Sequence, residues 1–171
     1  DGNITGWGDS EYGGSGAPTD TGYTAIYSTS RAFAALKKDG AVTAWGSFWR
    51  GGSGAPTDTG YIAIYSTSGA FAAIKADGNI TGWGDPESGG SGAPTDNGYS
   101  KLFSTSRAFA AVKEWKGVDA DGKVTAWGDS ESGGSGAPTE NHYITIYSTL
   151  GAFAAINADG KVTAWGDSAS G

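Results

Sequence analysis

The sequence predicts an all-β protein: tandem units of about 38 residues, each a three-stranded antiparallel sheet, stacked as propeller blades in an open or partial array. Three observations predict it. Asp-Gly pairs at Asp1, Asp39, Asp77, Asp121 and Asp159 recur 38, 38, 44 and 38 residues apart, with nearly the same text between them. Each unit holds three β-branched or aromatic runs separated by turn residues. Both faces of those runs are apolar or small, so each sheet has to be covered on both sides.

The second unit shows each element in order. Tyr61-Ile62-Ala63-Ile64-Tyr65-Ser66-Thr67 reads as a first strand, and Ala70-Phe71-Ala72-Ala73-Ile74-Lys75 as a second, after a short Ser-Gly turn. Asp77-Gly78 then predicts a tight hairpin whose two turn residues both take positive φ. Asn79-Ile80-Thr81-Gly82-Trp83-Gly84 is the third strand. Alternation puts Ala70, Ala72 and Ile74 on one face and Phe71 and Ala73 on the other; Ile80 and Gly82 likewise oppose Thr81 and Trp83. The Gly-Gly-Ser-Gly-Ala-Pro-Thr stretch carries the chain to the next unit. Its prolines, Pro18, Pro56, Pro94 and Pro138, cannot donate to a ladder, so it is loop or at best an edge. A β-solenoid is the alternative architecture, and the Asp-Gly hairpin counts against it.

Residues 1–171 thus form a single β-repeat array, with units at about 1–38, 39–76, 77–120 and 121–158 and a partial unit at 159–171. Complete three-strand sets fall at Tyr23–Gly46, Tyr61–Gly84, Tyr99–Gly128 and Tyr143–Gly166, with an orphan strand at Asn3–Gly8 ahead of them. Uncapped repeat ends expose apolar faces and strand edges, which favours head-to-tail association.

Composition excludes several classes. Glycine recurs at fixed repeat positions, and the chain holds 21 aromatic residues (seven Trp, eight Tyr, six Phe), so turns and not disorder explain the glycine content. The net charge of −7 is dispersed, which serves solubility and argues against a nucleic-acid partner. No run approaches the ~18 apolar residues of a membrane span. Absence of Cys removes disulfides and thiolate zinc sites. The chain starts at Asp1 without Met, which is expected of a mature form or a piece of a longer chain. Two sequons, Asn3-Ile4-Thr5 and Asn79-Ile80-Thr81, make Asn3 and Asn79 glycosylation candidates and point to an extracellular or cell-surface location. The competing reading is an Asn that simply follows a tight turn, since Ala41, Lys123 and Lys161 hold the same place elsewhere.

The run Ile74-Lys75-Ala76-Asp77-Gly78-Asn79-Ile80-Thr81-Gly82-Trp83-Gly84 resembles the blade hairpin of the regulator-of-chromosome-condensation repeat family. It is more similar still to the short-bladed bacterial β-lactamase inhibitor propeller of that superfamily. The resemblance covers the last two strands of each repeat and, more loosely, the Gly/Pro connection. It implies a propeller fold; relatives close with about seven blades, within the ~4–8 of propellers generally. The family sets a glycine pair and a His before a Leu-Ala-Leu strand, where this chain reads Tyr-Ser-Thr-Ser-Gly-Ala-Phe-Ala-Ala. No functional residue carries over, neither the exchange-factor wedge nor an inhibitor contact motif.

Catalysis is not expected. The single His, His142, lies on a connecting loop where other repeats have Gly22, Gly60 and Gly98, and no nucleophile elbow or helix-leading phosphate loop is present. Asp9, Asp85, Asp129 and Asp167 follow Trp-Gly, with Glu11, Glu87 and Glu131 two residues on, a pattern that could ligate calcium. Against calcium, Ser47-Phe48-Trp49 and Ala169 break the pattern, and Asp after a strand commonly caps a turn. No other cofactor is indicated. The Tyr-Ser-Thr rows fit satisfied strand ends better than a hydroxyl-bearing surface for ice or glycan.

Departures from the repeat mark interaction candidates: Phe48, Trp49 and Arg50, where Trp beside Arg has the composition of a hot spot; Trp115 and Lys116 in a six-residue insertion; and His142. Drift in exposed loops is the bland account of the same residues. The expectation is a non-enzymatic extracellular structural repeat protein that self-assembles head to tail, as a filament or surface-layer component. The alternative is a propeller-type binding module that recognises a protein or glycan partner through rim loops. Near-identical units favour the first, because the simplest repeated partner is another copy.

Overall fold

A computed structural model describes residues 1–114, 117 and 121–170. Among them, four separate three-stranded antiparallel sheets follow one another along the chain. The first blade is β1 (Tyr23–Ser28), β2 (Ala32–Lys37) and β3 (Val42–Gly46). The second is β4 (Tyr61–Ser66), β5 (Ala70–Lys75) and β6 (Ile80–Gly84). The third is β7 (Lys101–Ser104), β8 (Ala108–Val112) and β9 (Val124–Gly128); the fourth is β10 (Tyr143–Ser148), β11 (Ala152–Asn157) and β12 (Val162–Gly166). Each sheet is a meander with its second strand in the middle. Every ladder is antiparallel and confined to one blade, which rules out the solenoid.

The Asp-Gly hairpin differs from the expected turn. Only the glycine has positive φ, 81° at Gly78, and the aspartate does not. Gly78 N–H donates to Lys75 O and Lys75 N–H to Asn79 O, so the loop has three residues and ends in a left-handed glycine. Asp77 Oδ1 accepts the Asn79 N–H at 3.0 Å and holds the loop from its side. The glycine is also needed for space. A Cβ on Gly78 would lie 2.3 Å from Tyr99 N, because the hairpin tip rests on the backbone that leads into the next blade.

Each blade has two unlike faces, and they pack in a fixed order. One carries the central-strand Phe, stacked at 5.2–5.4 Å on the Trp opposite it, together with a Tyr and an aliphatic residue of the first strand. The other carries Ala, Ala and an aliphatic residue of the central strand. Ala32, Ala34 and Leu36 of the first blade pack on Tyr61, Ile64, Phe71 and Trp83 of the second. Ala70, Ala72 and Ile74 then pack on Tyr99, Leu102, Phe109 and Trp127, and Ala108, Ala110 and Val112 on Tyr143, Ile146, Phe153 and Trp165. Small residues on one face let the next sheet approach, and rings fill the space between. Burying each Ile or Phe there is worth roughly 1.5–3 kcal/mol. No cluster joins the fourth blade back to the first, so the stack is open among the described residues.

Two polar devices accompany this packing. Trp83 Nε1–H donates to Gly51 O at 3.1 Å, and Trp45, Trp127 and Trp165 repeat the bond to Gly13, Gly89 and Gly133. A backbone ladder also crosses the blades: Ser30 N–H donates to Ser68 O, Ser68 N–H to Ser106 O, and Ser106 N–H to Leu150 O, at 2.8–3.0 Å. The orphan strand is a correction. Asn3–Gly8 forms no ladder, because no strand of the described residues lies beside it to exchange hydrogen bonds.

Candidate functional site

The two outward faces of the stack differ from every interior one. The aromatic face of the first blade is covered only in part, by Ile4 and Ala17, which pack with Tyr23, Ala35 and Trp45. Ile26 is 50 % exposed where Ile64 is 2 % and Ile146 0 %. Beside it a cavity of about 420 Å³ is lined by Ile4, Trp7, Ile26, Phe33 and Trp45 among others, so its wall is largely apolar. Trp7 is 82 % exposed. At the far end, the Ala-rich face of the fourth blade leaves Tyr147 66 %, Val162 62 % and Leu150 81 % exposed. These ends are the two halves of the interior blade–blade contact, one aromatic and one aliphatic.

The sequence-predicted residues separate into several places. Phe48 and Trp49 are exposed and meet edge to face at 5.1 Å on the one-turn 3-10 segment Phe48–Arg50. Arg50 is engaged: its Nη1 donates to Asp85 Oδ2 at 3.1 Å and ties the second repeat to the third. The exchange is chemically coherent. The first repeat has Tyr12 at that place, and in the later three a Ser donates to the Asp of its own turn, Ser88 to Asp85, Ser132 to Asp129 and Ser170 to Asp167. The second repeat has Ser47 in place of Asp, so its side chain there reaches the next repeat's carboxylate instead. Trp115 and Lys116 lie outside the described residues.

His142 holds the position of Gly22, Gly60 and Gly98 and shares their backbone, with φ 71° against 87–93°. It is the only non-glycine residue with positive φ among the described residues. Its N–H donates to Asp121 O at 2.9 Å, which anchors the loop to the preceding hairpin. Asn3 is exposed and Asn79 half-buried, and Asn79 Nδ2 donates to Asp77 Oδ2 at 2.7 Å.

Three of the four repeated aspartates accept a backbone N–H two residues on. Asp9 Oδ1 accepts Glu11 N–H, Asp85 Oδ1 accepts Glu87 N–H and Asp167 Oδ1 accepts Ala169 N–H, at 2.9–3.1 Å. Among the described residues no three His, Asp or Glu gather in a way that would hold a metal ion. The Thr of each Tyr-Ser-Thr row is likewise occupied: Thr67 Oγ1 donates to Ser88 O at 2.9 Å and accepts Ala70 N–H at 3.0 Å.

Sequence reading missed one recurring cluster. Tyr99 hydroxyl donates to Asp96 and shares a hydrogen with Thr125, while Lys113 Nζ bonds Asp96 at 2.7 Å and lies over the Tyr99 ring. The Lys113 ammonium, with help from Tyr99 and Lys123, holds the Asp96 carboxyl down at about 2. Burial, then the neighbouring carboxylate, pushes the Tyr99 hydroxyl up to about 12. Asp20–Lys37–Tyr23 and Asp58–Lys75–Tyr61 repeat the arrangement, with both aspartates lowered chiefly by their lysines. The signal was present as a Tyr three residues after each Asp. Occurring in repeat after repeat at blade junctions, the cluster fixes the entry of each first strand.

No family model matches the chain, and no curated protein matches it. Solved structures do. The CRINKLY WD40 ectodomain of the Arabidopsis thaliana receptor kinase ACR4 aligns with TM-score 0.60 at 18 % identity, over 84 % of this chain and 52 % of that one. The entire ectodomain of the Physcomitrella patens receptor kinase CR4 gives 0.62 at 18 %, over 94 % and 44 %. Human WBSCR16 gives 0.52 at 17 %, over 84 % and 47 %. The chain spans about half the length of each. No helix among the described residues is long and apolar enough to cross a membrane. At these identities the likeness shows the fold alone: propeller-type blades.

Proposed function

We propose that this chain is a non-enzymatic extracellular repeat protein that associates head to tail with further copies of itself. One observation carries the reading. The outward faces of the first and fourth blades reproduce the aromatic and aliphatic halves of the three interior contacts, the first covered only in part by Ile4 and Ala17 and the fourth without a covering blade. A contact that does not close on itself propagates into a filament or layer, and one that closes makes a ring. The ectodomain setting of two structural neighbours supports an extracellular place, as do the sequons at Asn3 and Asn79. The likeness of each hairpin to the regulator-of-chromosome-condensation repeat accords with a scaffold whose signature residues serve stacking. Light scattering and negative-stain microscopy at rising concentration test the reading. Open or closed assemblies are expected, and a discrete monomer throughout overturns it. Mass spectrometry of the peptides holding Asn3 and Asn79, from protein secreted by a glycosylating host, tests the sequons.

A second reading rests on the exposed Phe48–Trp49 pair. It would make the stack a binding module whose rim takes a protein or glycan partner. Loss of partner capture on Phe48→Ala/Trp49→Ala, with assembly unchanged, would favour it.

A further inference from the structure

We propose that Asn3–Gly8 is an exchange strand. In the head-to-tail contact it enters the last blade of a second copy, replaces that copy's β12 beside β11, and so seats the β10–β11 hairpin in the groove at Trp7. The proposal rests on the head-to-tail reading and names its surfaces and register.

Identity of text comes first. Ile4-Thr5-Gly6-Trp7-Gly8 repeats β6, Ile80-Thr81-Gly82-Trp83-Gly84, letter for letter, and differs from the Val-Thr-Ala-Trp-Gly of β12 only by one methylene and one methyl. Placement comes second. Ile4 and Ala17 sit on Tyr23, Ala35 and Trp45 as Val42 and Ala55 sit on Tyr61, Ala73 and Trp83. The segment therefore already occupies a third-strand position over the first blade. Among the described residues no first or second strand lies beside it.

That absence accounts for the groove. Trp83 is 4 % exposed because Phe71 of the neighbouring strand stacks on it at 5.2 Å and Gly51 O accepts its N–H. Trp7 has an equivalent place in sequence and is 82 % exposed. An incoming Ala-Phe-Ala-Ala-Ile strand would set its Phe on Trp7, as Phe153 is set on Trp165 in the ladder of β11 and β12. Its Ala residues would cover Phe33 and Ile26, as Ala32 and Ala34 cover the second blade.

The ends are also complementary in backbone polarity. In the interior the ladder runs from an earlier N–H to a later carbonyl, ending with Ser106 N–H on Leu150 O. Ser30 O therefore lies open as acceptor at one end of the stack and Leu150 N–H as donor at the other. Seating the fourth blade on the first brings that donor to that acceptor and continues the three existing interfaces without a change of register.

Exchange, and not simple addition, follows from the count of strands. A third-strand position holds one strand, and both Asn3–Gly8 and β12 fit it. β12 is loosely held on its outer side, with Val162 62 % exposed where Val124 is 5 %. Swapping equivalent strands trades like contacts for like and leaves the covered groove as gain.

The chain has no Cys, so single substitutions report cleanly. Ala154 faces Ala164 across the ladder, and Gly6 takes the Ala164 position. Gly6→Cys and Ala154→Cys chains, mixed and oxidised, should give a disulfide-linked heterodimer at least about tenfold faster than Thr5→Cys with Ala154→Cys, which lies one residue out of register on the opposite face. Ala44, Ala126 and Ala164 show that a side chain is accepted at the Gly6 position. In the unsubstituted chain, hydrogen exchange should slow at residues 4–8 on assembly and quicken at β12. Assembly without the in-register preference, and with fast exchange at residues 4–8, overturns the strand exchange alone. Absence of assembly at any concentration overturns the head-to-tail reading with it.

Discussion

The first and second blades are written in nearly the same residues and live in different surroundings. Ile64 is 2 % exposed and its counterpart Ile26 50 %; Phe71 is fully buried and Phe33 half-buried. Sequence cannot be the cause, since Tyr-x-Ala-Ile-Tyr-Ser and Ala-Phe-Ala-Ala recur in both. The difference lies in the neighbour. The second blade has one on each side, and the first has one blade and a few residues of chain. In a stack of this kind, stability belongs to interfaces as much as to units, and an end unit is incomplete by construction.

The sharpest way to break that comparison is at the rings. Phe71→Ala should cost about 3–5 kcal/mol in urea unfolding of the monomer, from lost burial and an unfilled cavity. Phe33→Ala, measured in the same dilute conditions, should cost no more than about half of that. Equal costs would show that the interface is not what distinguishes the blades.

The hairpin tips give a second contrast. Gly78→Ala forces a Cβ to within 2.3 Å of Tyr99 N and should destabilise by roughly 3–5 kcal/mol. Gly160, in the end blade, has the same φ near 80° with nothing within 4 Å. There the same substitution should cost only the left-handed strain, about 1–2 kcal/mol. A Gly160→Ala variant as unstable as Gly78→Ala would refute the steric account.

His142 sharpens the comparison from the opposite side, since it places a side chain where three repeats have glycine. His142→Gly should stabilise by about 1 kcal/mol, read as a higher urea midpoint at unchanged slope. The reverse change, Gly60→His, should destabilise by a similar amount. No gain in the first would mean that contacts of the imidazole offset its backbone strain.

The smallest expected effect is electrostatic. Asp96 sits at about 2 when folded, below its unfolded value near 3.8, so the folded state holds the proton less tightly. Its contribution is fully present above the unfolded value and is lost as pH falls towards about 2. Asp96→Asn should lower stability at neutral pH and flatten its decline between about pH 5 and pH 2. Because the carboxylate is partly exposed, solvent screening keeps the change modest. In the fourth repeat Glu140 meets Lys161 at 3.2 Å on the surface, and Glu140→Gln should stay within about 0.5 kcal/mol. An unchanged acid limb for Asp96→Asn would remove the Lys113 pairing as its cause.

Much of the fold is legible in the chain. The period, the three strands per unit, the antiparallel meander and the two buried faces follow from Asp-Gly pairs and alternating apolar residues. The turn type did not follow, because Asp-Gly serves both a two-residue loop and a three-residue one, and the Lys75–Asn79 pairing decides between them. The Asn3–Gly8 strand was read from its likeness to β6, but a strand exists only where a partner supplies the ladder. Arg50 looked available as a hot spot and is spent on Asp85, a residue 35 positions away that only folding brings near.

The sequence by itself therefore determined the unit: its strands, its hairpin and the chemistry of its two faces, all set by contacts within about 38 residues of one another. The tertiary structure alone decided the order of stacking, aliphatic face onto the next aromatic face, because which face meets which depends on the path of the Gly/Pro connection. It also decided which copies of one motif are covered and which are bare. Burial is a property of the neighbour, and four identical phrases acquire different fates when the stack has two ends.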